Sequence, residues 1–222
     1  LVNGTFTVNA AGETTLNTVN AGVISGKIDA AGKTIVKIGA QTLFLTNSDT
    51  GAGANNVGAW KLMAGTTELR LSNGGSDIFG SSAPITLNGA TLNIRHDGDN
   101  TANMQVLTTF ANNNLTIGST AGIGSGSYIG STAVILSLDR IAPTATTKTI
   151  KFGDLNFGGP LGTPSLRVNI ANGYHLEVGA FTLVKDALID LNTGSPNLTI
   201  NGNISGNGTI QKTASGNFFI NS

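Results

Sequence analysis

The chain has 222 residues with 12 basic and 12 acidic side chains, and charged residues make up only 11% of it. Sparse, balanced charge provides no cationic surface for a phosphate backbone, which argues against nucleic acid as a partner. No run of about 20 apolar residues occurs, so we expect no membrane insertion by this segment. Cysteine is absent, which excludes disulfides and leaves no thiolate ligand for zinc.

The remaining composition is typical of strands and turns. Glycine accounts for 31 residues, aromatic residues for only 5%, and threonine and asparagine are frequent. Threonine, valine and isoleucine suit pleated, half-buried surfaces, while glycine and asparagine suit tight turns with positive φ. The hydrophobic 39% is spread along the chain and can supply a core, which argues against disorder.

Short runs with a period of two recur along the whole chain and predict β-strands. The alternating apolar residues are Leu69 and Leu71, Ile85 and Leu87, Leu92 and Ile94, Leu166, Val168 and Ile170, Leu176 and Val178, Phe181 and Leu183, and Leu198 and Ile200. We expect these side chains to point inward, with Arg70, Thr86, Asn93 and Thr199 pointing outward. Turn residues such as Asn88-Gly89 and Asn172-Gly173 separate the runs.

Two folds are compatible with these strands. An Asn-Gly pair between alternating runs ordinarily predicts a β-hairpin, whereas repetition of whole segments favours a β-solenoid. We predict the second, an all-β, right-handed parallel β-helix. At roughly 20 residues per coil it would make about ten coils, in a rod on the order of 45–50 Å long.

Two stretches interrupt the alternation. Residues 122–130 are rich in glycine and serine, and residues 139–165 hold Pro143, Pro160 and Pro164, which predicts a protruding loop within that segment. Alternation resumes on both sides of each stretch, so we predict a single domain over 1–222. Leu1 already lies in a strand-like run, and we therefore expect the chain to be part of a larger array.

Candidates for a metal site are weak. His96 begins the run His-Asp-Gly-Asp-Asn, in which Asp97 and Asp99 alternate as carboxylates in Ca²⁺-binding loops do. The further ligands and the distal glutamate of an EF-hand are lacking, so a polar turn is the preferred interpretation. His175 lies in an alternating run and is expected on the surface. We predict no cofactor.

Catalytic motifs are equally weak. The sequence contains no Gly-x-Ser-x-Gly nucleophile elbow. Asp49-Thr50-Gly51 resembles an aspartic-protease strand but lacks the hydrophobic lead-in and a second copy, which favours a turn. Asp186 with Asp190, or Asp97 with Asp99, could supply a carboxylate pair for glycoside cleavage, although nothing selects them over ordinary surface acids. The sequence therefore predicts a protein that is not an enzyme.

The C-terminal segment 204–222 resembles the β-strand repeat of autotransporter passenger regions, whose pattern is I-S-G-x-G-x-L-x-K-x-G-x-G-x-L-x-L-S. The matching residues are Ile204, Ser205, Gly206, Gly208, Ile210, Lys212, Gly216, Phe218 and Ile220, with Ala214 in place of one glycine.

The pattern occurs again near the N-terminus, with extra residues inserted between Lys27 and Thr34. The matching residues are Ile24, Ser25, Gly26, Ile35, Lys37, Gly39, Leu43, Leu45 and Thr46. Ala64-Gly65-Thr66 and the run from Pro84 to Leu92 resemble the strands that follow in the family. The resemblance thus covers about 24–94 and 204–222.

This resemblance implies a secreted or surface-held parallel β-helix of an outer-membrane bacterium, without catalytic residues to carry over. We expect a stalk, adhesin or fibre segment. Its expected partners are surface polysaccharide, or like chains stacked end to end, since both termini look like strands within an array and an uncapped solenoid leaves its backbone groups open.

Two rival functions remain at this point. Parallel β-helices also host polysaccharide lyases and hydrolases, which would need charged residues or histidine converging on one face. Ice binding would need Thr-x-Thr on successive coils of one flat face, and only the segment from Thr144 to Thr149 hints at that pattern.

Overall fold

Short parallel strands, joined by tight corners, build the whole described part of the chain. The computed structural model describes residues 5–9, 12–46, 55–72, 78–118, 133–159, 163–193 and 197–221. These residues contain strands and no helix, and every strand pairing among them is parallel. The predicted segment 122–130 and the triplet Asp49-Thr50-Gly51 lie outside the described residues.

Three parallel sheets form the faces of the solenoid. A separate pair of two-residue strands, β1 (Phe6–Thr7) and β4 (Ile28–Asp29), lies earlier in the chain than the strands of the third sheet. Sheet I consists of β2 (Thr14–Asn17), β5 (Thr34–Ile38), β7 (Ala59–Leu62), β9 (Ile85–Leu87), β12 (Leu115–Ile117), β15 (Leu155–Phe157), β18 (Phe181–Leu183) and β21 (Ile204–Gly206). Sheet II consists of β3 (Gly22–Ile24), β6 (Thr42–Leu45), β8 (Thr66–Leu71), β10 (Thr91–His96), β13 (Val134–Asp139), β16 (Ser165–Ile170), β19 (Ala187–Thr193) and β22 (Ile210–Thr213). Sheet III consists of β11 (Gln105–Phe110), β14 (Lys148–Phe152), β17 (His175–Val178), β20 (Asn197–Ile200) and β23 (Asn217–Ile220), and β1 (Phe6–Thr7) pairs with β4 (Ile28–Asp29).

The connectivity is that of a parallel β-helix, which confirms the predicted fold class. Successive strands lie in different sheets, and a strand inside a sheet pairs with the strands one coil earlier and one coil later, as β18 does with β15 and β21. The Asn-Gly pairs are corners rather than hairpin turns. Asn88-Gly89 joins β9 in sheet I to β10 in sheet II. The right-handed sense of the coil stays a prediction, based on the chiral preference of parallel crossovers.

Among the described residues the coil number is lower than the predicted ten, because several coils are longer than 20 residues. Sheets I and II each contain eight strands, and β23 begins a further coil. Register partners lie 20 positions apart for Asn197 and Asn217, but 44 apart for Arg95 and Asp139. At about 4.8 Å per strand, the eight levels extend about 35–40 Å.

The predicted loop within 139–165 is shorter than that range. Both β14 and β15 fall inside it and belong to the sheets. The described residues outside strands are those between β13 and β14, Gly153 and Asp154 between β14 and β15, and those between β15 and β16. Proline therefore marks the connections on either side of these two strands, where a missing N–H disturbs no ladder.

Alternation along each strand places the core as predicted. The eight inward-pointing residues named for this test are all fully buried: Leu69, Leu71, Ile85, Leu87, Leu92, Ile94, Leu198 and Ile200. Arg70 is exposed, while Thr86, Asn93 and Thr199 are half-buried on the outer face. The register of the strands is therefore the one expected from the sequence.

Aromatic rings link several coils through the interior. The rings of Trp60, Phe79, Phe110 and Phe152 follow one another with centroid separations of 5.8, 5.7 and 5.3 Å. Such ring pairs stabilise a core beyond the area that they bury. These four aromatic residues thus lie where coils stack.

Candidate functional site: a polar column and buried polar clusters

A column of small uncharged polar side chains runs along the outer surface of sheet I. It consists of Thr86, Thr116, Asn156, Thr182 and Ser205, which we call the polar column. Each is the middle residue of a three-residue strand, and each lies directly in register with the next. In the first four strands the two flanking residues are buried, so the column is the only outward row of those strands.

The spacing of the polar column follows from the sheet, at about 4.8 Å per coil. Neighbouring members can contact each other, as the Thr182 and Ser205 hydroxyls do at 3.5 Å. Branching at Cβ restricts the threonine rotamers and keeps their hydroxyls in a fixed direction. The result is a regular row of donors and acceptors without charge, which suits contact with a hydroxyl-rich polymer. One outward residue per strand cannot form the Thr-x-Thr pattern considered for ice binding.

His96 is buried at the end of β10, which corrects its predicted place in a polar turn. Strand β10 ends at His96, and the turn lies at Gly98 and Asp99. The Gly98 N–H donates to His96 Nδ1 at 3.1 Å, so Nε2 carries the proton and donates to the Thr109 hydroxyl at 2.9 Å. Burial lowers the pKa of His96 to about 4, against the opposing effect of the Asp97 carboxylate. The ring is therefore neutral at physiological pH and acts as a fixed hydrogen-bonding group.

The weak metal candidates Asp97 and Asp99 bind different donors. Asp97 Oδ1 accepts hydrogen bonds from the N–H groups of Ile141 at 2.6 Å and Ala142 at 3.0 Å. Asp99 Oδ1 accepts from Lys148 Nζ at 2.7 Å. That hydrogen bond holds the pKa of Asp99 well below its usual range, with help from the Thr101 hydroxyl and main chain and from Asn103. Among the described residues, no group of three or more acidic or histidine side chains is arranged to hold a metal ion.

Lys148 and Tyr174 complete this cluster. Lys148 is the first residue of β14, and Tyr174 lies in the corner immediately before β17, one coil later. Lys148 is fully buried, and its Nζ also donates to Asn103 Oδ1 at 2.6 Å and to the Asn103 carbonyl at 3.2 Å. The Tyr174 hydroxyl donates to the His96 carbonyl at 2.7 Å, and burial raises the pKa of Tyr174. These contacts connect residues of three successive coils, so the cluster stabilises the stacking of the coils and its polar groups are already hydrogen-bonded.

Backbone strain accompanies the cluster at Thr147, immediately before Lys148. This β-branched residue has φ 56°, a left-handed conformation that only glycine adopts without cost. Its N–H donates to the Asn172 carbonyl at 3.0 Å, which anchors it to the next coil. The strained corner places the buried lysine so that its ammonium reaches the exposed carboxylate of Asp99.

A second buried lysine has no acidic partner in the described part of the chain. Lys37 is fully buried, and its Nζ donates to the carbonyls of Gly39 at 2.9 Å, Gln41 at 2.8 Å and Ala64 at 2.6 Å. Ala64 belongs to the following coil, so the ammonium links two coils through main-chain groups. Burial lowers the pKa of Lys37 to about 8, since removal from water disfavours the charged form.

The other sequence candidates lie apart from this cluster. His175 takes the predicted outward position in β17 but is half-buried, and burial lowers its pKa. Asp186 accepts two hydrogen bonds from Thr209, at 2.8 Å each, and Asp190 pairs with Arg167 at 2.8 Å. Asp186 and Asp190 therefore engage separate partners, each from a neighbouring coil.

Sequence reasoning missed the buried lysines and the tyrosine. Lys148 and Asn103 are 45 positions apart, and Tyr174 is 78 positions from His96. A lysine in an alternating run gives no signal that it will turn inward, except that Lys37 and Lys212 occupy the same position of the repeated pattern. Both lysines donate to the carbonyl two positions ahead, but only Lys37 is buried.

In comparison with known proteins, no family model, no curated protein and no solved structure matches the chain. Within the described residues, a search for helices long and apolar enough to cross a membrane finds none.

Proposed function

We propose that this chain is a non-catalytic, extracellular β-solenoid that serves as a stalk, adhesin or fibre segment at the surface of an outer-membrane bacterium. The observation that carries the proposal is the polar column, a regular uncharged row of hydroxyl and amide groups along a rigid rod. The resemblance of segments 24–94 and 204–222 to autotransporter passenger repeats supports the cellular location.

Surface polysaccharide is the ligand class that this column fits best. A single hydroxyl-to-hydroxyl contact is weak in water, because it replaces a hydrogen bond to solvent. Five such groups at equal spacing can engage an extended polymer together, and each further contact then forms at a high effective concentration. Weak, repeated contact of this kind suits adhesion rather than recognition of one small molecule.

The state of the charged groups supports a role without catalysis. Asp97 is occupied by main-chain donors, Asp99 by Lys148, and Asp190 by Arg167. A general acid or base needs a free site within hydrogen-bonding reach of its substrate. These carboxylates are instead used to hold neighbouring coils together.

A charged row on sheet II is the place where a polysaccharide lyase or hydrolase would have to work. Arg70, Arg95 and Asp139 lie in register on successive strands. Glu68 lies between the two arginines, with its Oε1 2.6 Å from Arg70 Nε and 3.3 Å from Arg95 Nε. Because these charged groups pair with one another, they are less available to a substrate. We therefore keep a polysaccharide lyase or hydrolase as the second candidate function.

Binding is tested by replacing hydroxyls in the polar column without changing side-chain shape. In the test variant, Thr86, Thr116 and Thr182 are each changed to valine, and the matched control carries Thr149→Val and Thr199→Val on sheet III. We expect the wild type and the control to be retained on immobilised bacterial surface polysaccharides, and the test variant to lose retention. Equal retention of all three proteins would contradict the assignment of the column.

Catalysis is tested separately with the same polysaccharides in solution. We expect no new reducing ends and no unsaturated uronides after prolonged incubation. Cleavage that disappears in Arg95→Ala or Asp139→Asn, but persists in the column variant, would overturn the proposal in favour of the enzyme.

A further inference from the structure

Three side chains, Lys148, Asn103 and Asp99, form a closed triangle of hydrogen bonds. Lys148 Nζ donates to Asn103 Oδ1 at 2.6 Å and to Asp99 Oδ1 at 2.7 Å. Asn103 Nδ2 donates to Asp99 Oδ2 at 3.0 Å. An amine, a primary amide and a carboxylate are therefore in mutual contact, and these are the groups needed to form an amide bond between two side chains.

The orientation of the Asn103 amide is fixed by two contacts of opposite kind. Its oxygen faces the ammonium of Lys148, which can only donate, and its nitrogen faces the carboxylate of Asp99, which can only accept. Exchange of the two amide atoms would break both contacts. The amide carbon Cγ, one covalent bond behind Oδ1, is thus presented to the lysine nitrogen.

Lys148 is held in the way that an attacking group must be held. Its side chain is fully buried, and its Nζ also donates to the main-chain carbonyl of Asn103 at 3.2 Å. Its main chain is fixed by the pairing of β14 with β11. Such positioning replaces an encounter between separate molecules and is equivalent to a very high effective concentration. Conversion of the ammonium into a neutral amide also removes a charge that is costly to bury.

We propose that Lys148 and Asn103 form an intramolecular isopeptide bond, with Asp99 as the group that carries protons between the two nitrogens. The structure shows the three side chains before this reaction. It is a single reaction of the chain with itself and consumes no external substrate. The inference therefore goes beyond the proposed function without depending on it.

The reaction needs no group beyond these three side chains. Lys148 transfers one proton to Asp99 Oδ1, and the neutral Nζ attacks Asn103 Cγ while an electron pair of the C=O bond moves to Oδ1. Asp99 then gives its proton to Asn103 Nδ2 and takes a second proton from Nζ. The Cγ–Nδ2 bond breaks as the C=O bond re-forms, and ammonia leaves with the proton that remains on Asp99. An ammonium and a primary amide thus become a secondary amide and a free ammonium ion.

Asp99 suits this transfer because each of its two oxygens serves one of the reacting nitrogens. Thr101 positions the carboxylate through its hydroxyl, at 2.8 Å, and its N–H, at 3.2 Å. The hydrogen bond from Lys148 holds the pKa of Asp99 below its usual range, so the first proton transfer is uphill and we expect a slow reaction. Because Asn103 is exposed, the ammonium ion can leave to solvent.

The bond would connect two successive coils at a point where they are far apart in sequence. Asn103 and Lys148 are separated by 45 positions, whereas the register partners Asn197 and Asn217 are separated by 20. Asn103 lies just before β11, and Lys148 begins β14, which pairs with β11. A covalent bond here would hold two strands of sheet III in register, in a chain without cysteine for a disulfide.

The mass of the intact chain measures the reaction. Folded protein incubated in buffer should become lighter by the mass of one ammonia. The same chain kept unfolded in guanidinium chloride should retain the mass of its sequence, because the three groups meet only in the fold. A folded chain whose mass does not change during prolonged incubation would overturn the proposal.

Peptide mapping locates the bond, which is necessary because succinimide formation at an Asn-Gly pair also releases ammonia. Trypsin should fail to cleave after Lys148 and should release residues 96–140 joined to residues 141–151. Lys37 is an internal comparison, since it is equally buried but donates to main-chain carbonyls, and it should stay unmodified. Loss of ammonia at another site alone, or loss of water with a bond from Lys148 to Asp99, would overturn the assignment.

Variants separate the roles of the three groups. Lys148→Arg and Asn103→Ser each remove one reacting group and should abolish the cross-link. Asp99→Ala removes the proton carrier without adding a second amide and should slow the reaction by about 100-fold or more. The matched control is Lys151→Arg, on the same strand, where the lysine pairs with Glu177 at 2.8 Å. This control should react as the wild type does.

Circular dichroism and the fluorescence of the single tryptophan verify that each variant is folded. A folded Asp99→Ala chain that reacts at the wild-type rate would overturn the role of Asp99 as proton carrier. A folded Lys148→Arg chain that still loses ammonia within residues 96–151 would overturn the cross-link itself. The measurement on the wild type needs no variant, so it decides the proposal even where a substitution prevents folding.

Discussion

Replacement of Lys37 by methionine tests the buried ammonium, because burial without an acidic partner makes its charge costly. Its pKa falls from the ordinary 10.5 to about 8, a difference worth on the order of 3 kcal/mol. Between these two pH values the unfolded chain holds a proton that the folded chain has released. Stability contributed by this group therefore rises with pH through the window from 8 to 10.5.

The Lys37→Met variant lacks this proton and should lack the corresponding rise. The variant also loses the hydrogen bonds to the carbonyls of Gly39, Gln41 and Ala64, which lowers its stability over the whole pH range. The informative quantity is the difference between the unfolding free energies of wild type and variant. It should grow in favour of the wild type by on the order of 3 kcal/mol from pH 7.5 to 10.5.

Urea unfolding monitored by the single tryptophan measures this difference locally. Trp60 is fully buried in β7, which pairs directly with the strand of Lys37. Lys212→Met is the matched control, because it alters the same position of the repeated pattern at an exposed site. If the difference in unfolding free energy between the wild type and Lys37→Met stays constant from pH 7.5 to 10.5, the reasoning is refuted.

Three further predictions concern the core and the cluster around β10. Leu87→Ala should lower the unfolding free energy by about 2–5 kcal/mol, because it removes a buried side chain. The Thr86→Ala variant, which alters the outward-facing neighbour, should change the unfolding free energy by less than about 0.5 kcal/mol. Urea unfolding measures both values. Tyr174→Phe leaves a buried carbonyl of β10 without its donor and should cost about 1–3 kcal/mol, measured by thermal unfolding. Asp99→Asn removes the carboxylate that binds Lys148, and amide hydrogen exchange in residues 97–104 should become faster. Because the pKa of Asp99 is held well below its usual value, its contribution is complete above pH of about 4 and is lost as the pH falls below that, so wild type and variant should exchange alike only in strong acid.

The strand register could be predicted because it depends on one local property. Leu69 and Leu71 are separated by the charged Arg70, and a one-residue shift would have buried the arginine and exposed both leucines. Nothing outside the strand was needed to decide between the two. The same argument holds for every run in which polar and apolar residues alternate strictly.

The distinction between hairpin and solenoid could not be made from the turns alone. Asn172 and Gly173 have φ of 54° and 73°, and two successive left-handed residues are also what a tight hairpin requires. In this chain the pair forms a corner between sheets II and III. Repetition of whole segments carried the decision, since only a coil places equivalent residues above one another.

The buried polar groups could not be predicted because their partners come from distant positions. Lys37 turns inward toward carbonyls of its own corner and the next coil, and Lys148 turns inward toward Asp99. Hydropathy alone places both lysines on the surface. Only the folded geometry reveals the acceptors that make burial of an ammonium tolerable.

The repeated pattern joins sheet I to sheet II at β5 and β6, and sheet II to sheet III at β22 and β23. This difference in position bears on how such a rod changes in evolution. The recurring segment comprises a strand, a lysine-capped bend and a second strand, which is less than a full circuit of the solenoid. Gain or loss of one such segment in a gene would shift every later strand to a neighbouring sheet of the solenoid. Each coil would still have an adjacent coil with which its strands could pair. The polar column would then point in a new direction relative to whatever precedes it. A lineage could in this way redirect the polar column around the rod through a change in copy number, without altering a single residue of the column itself.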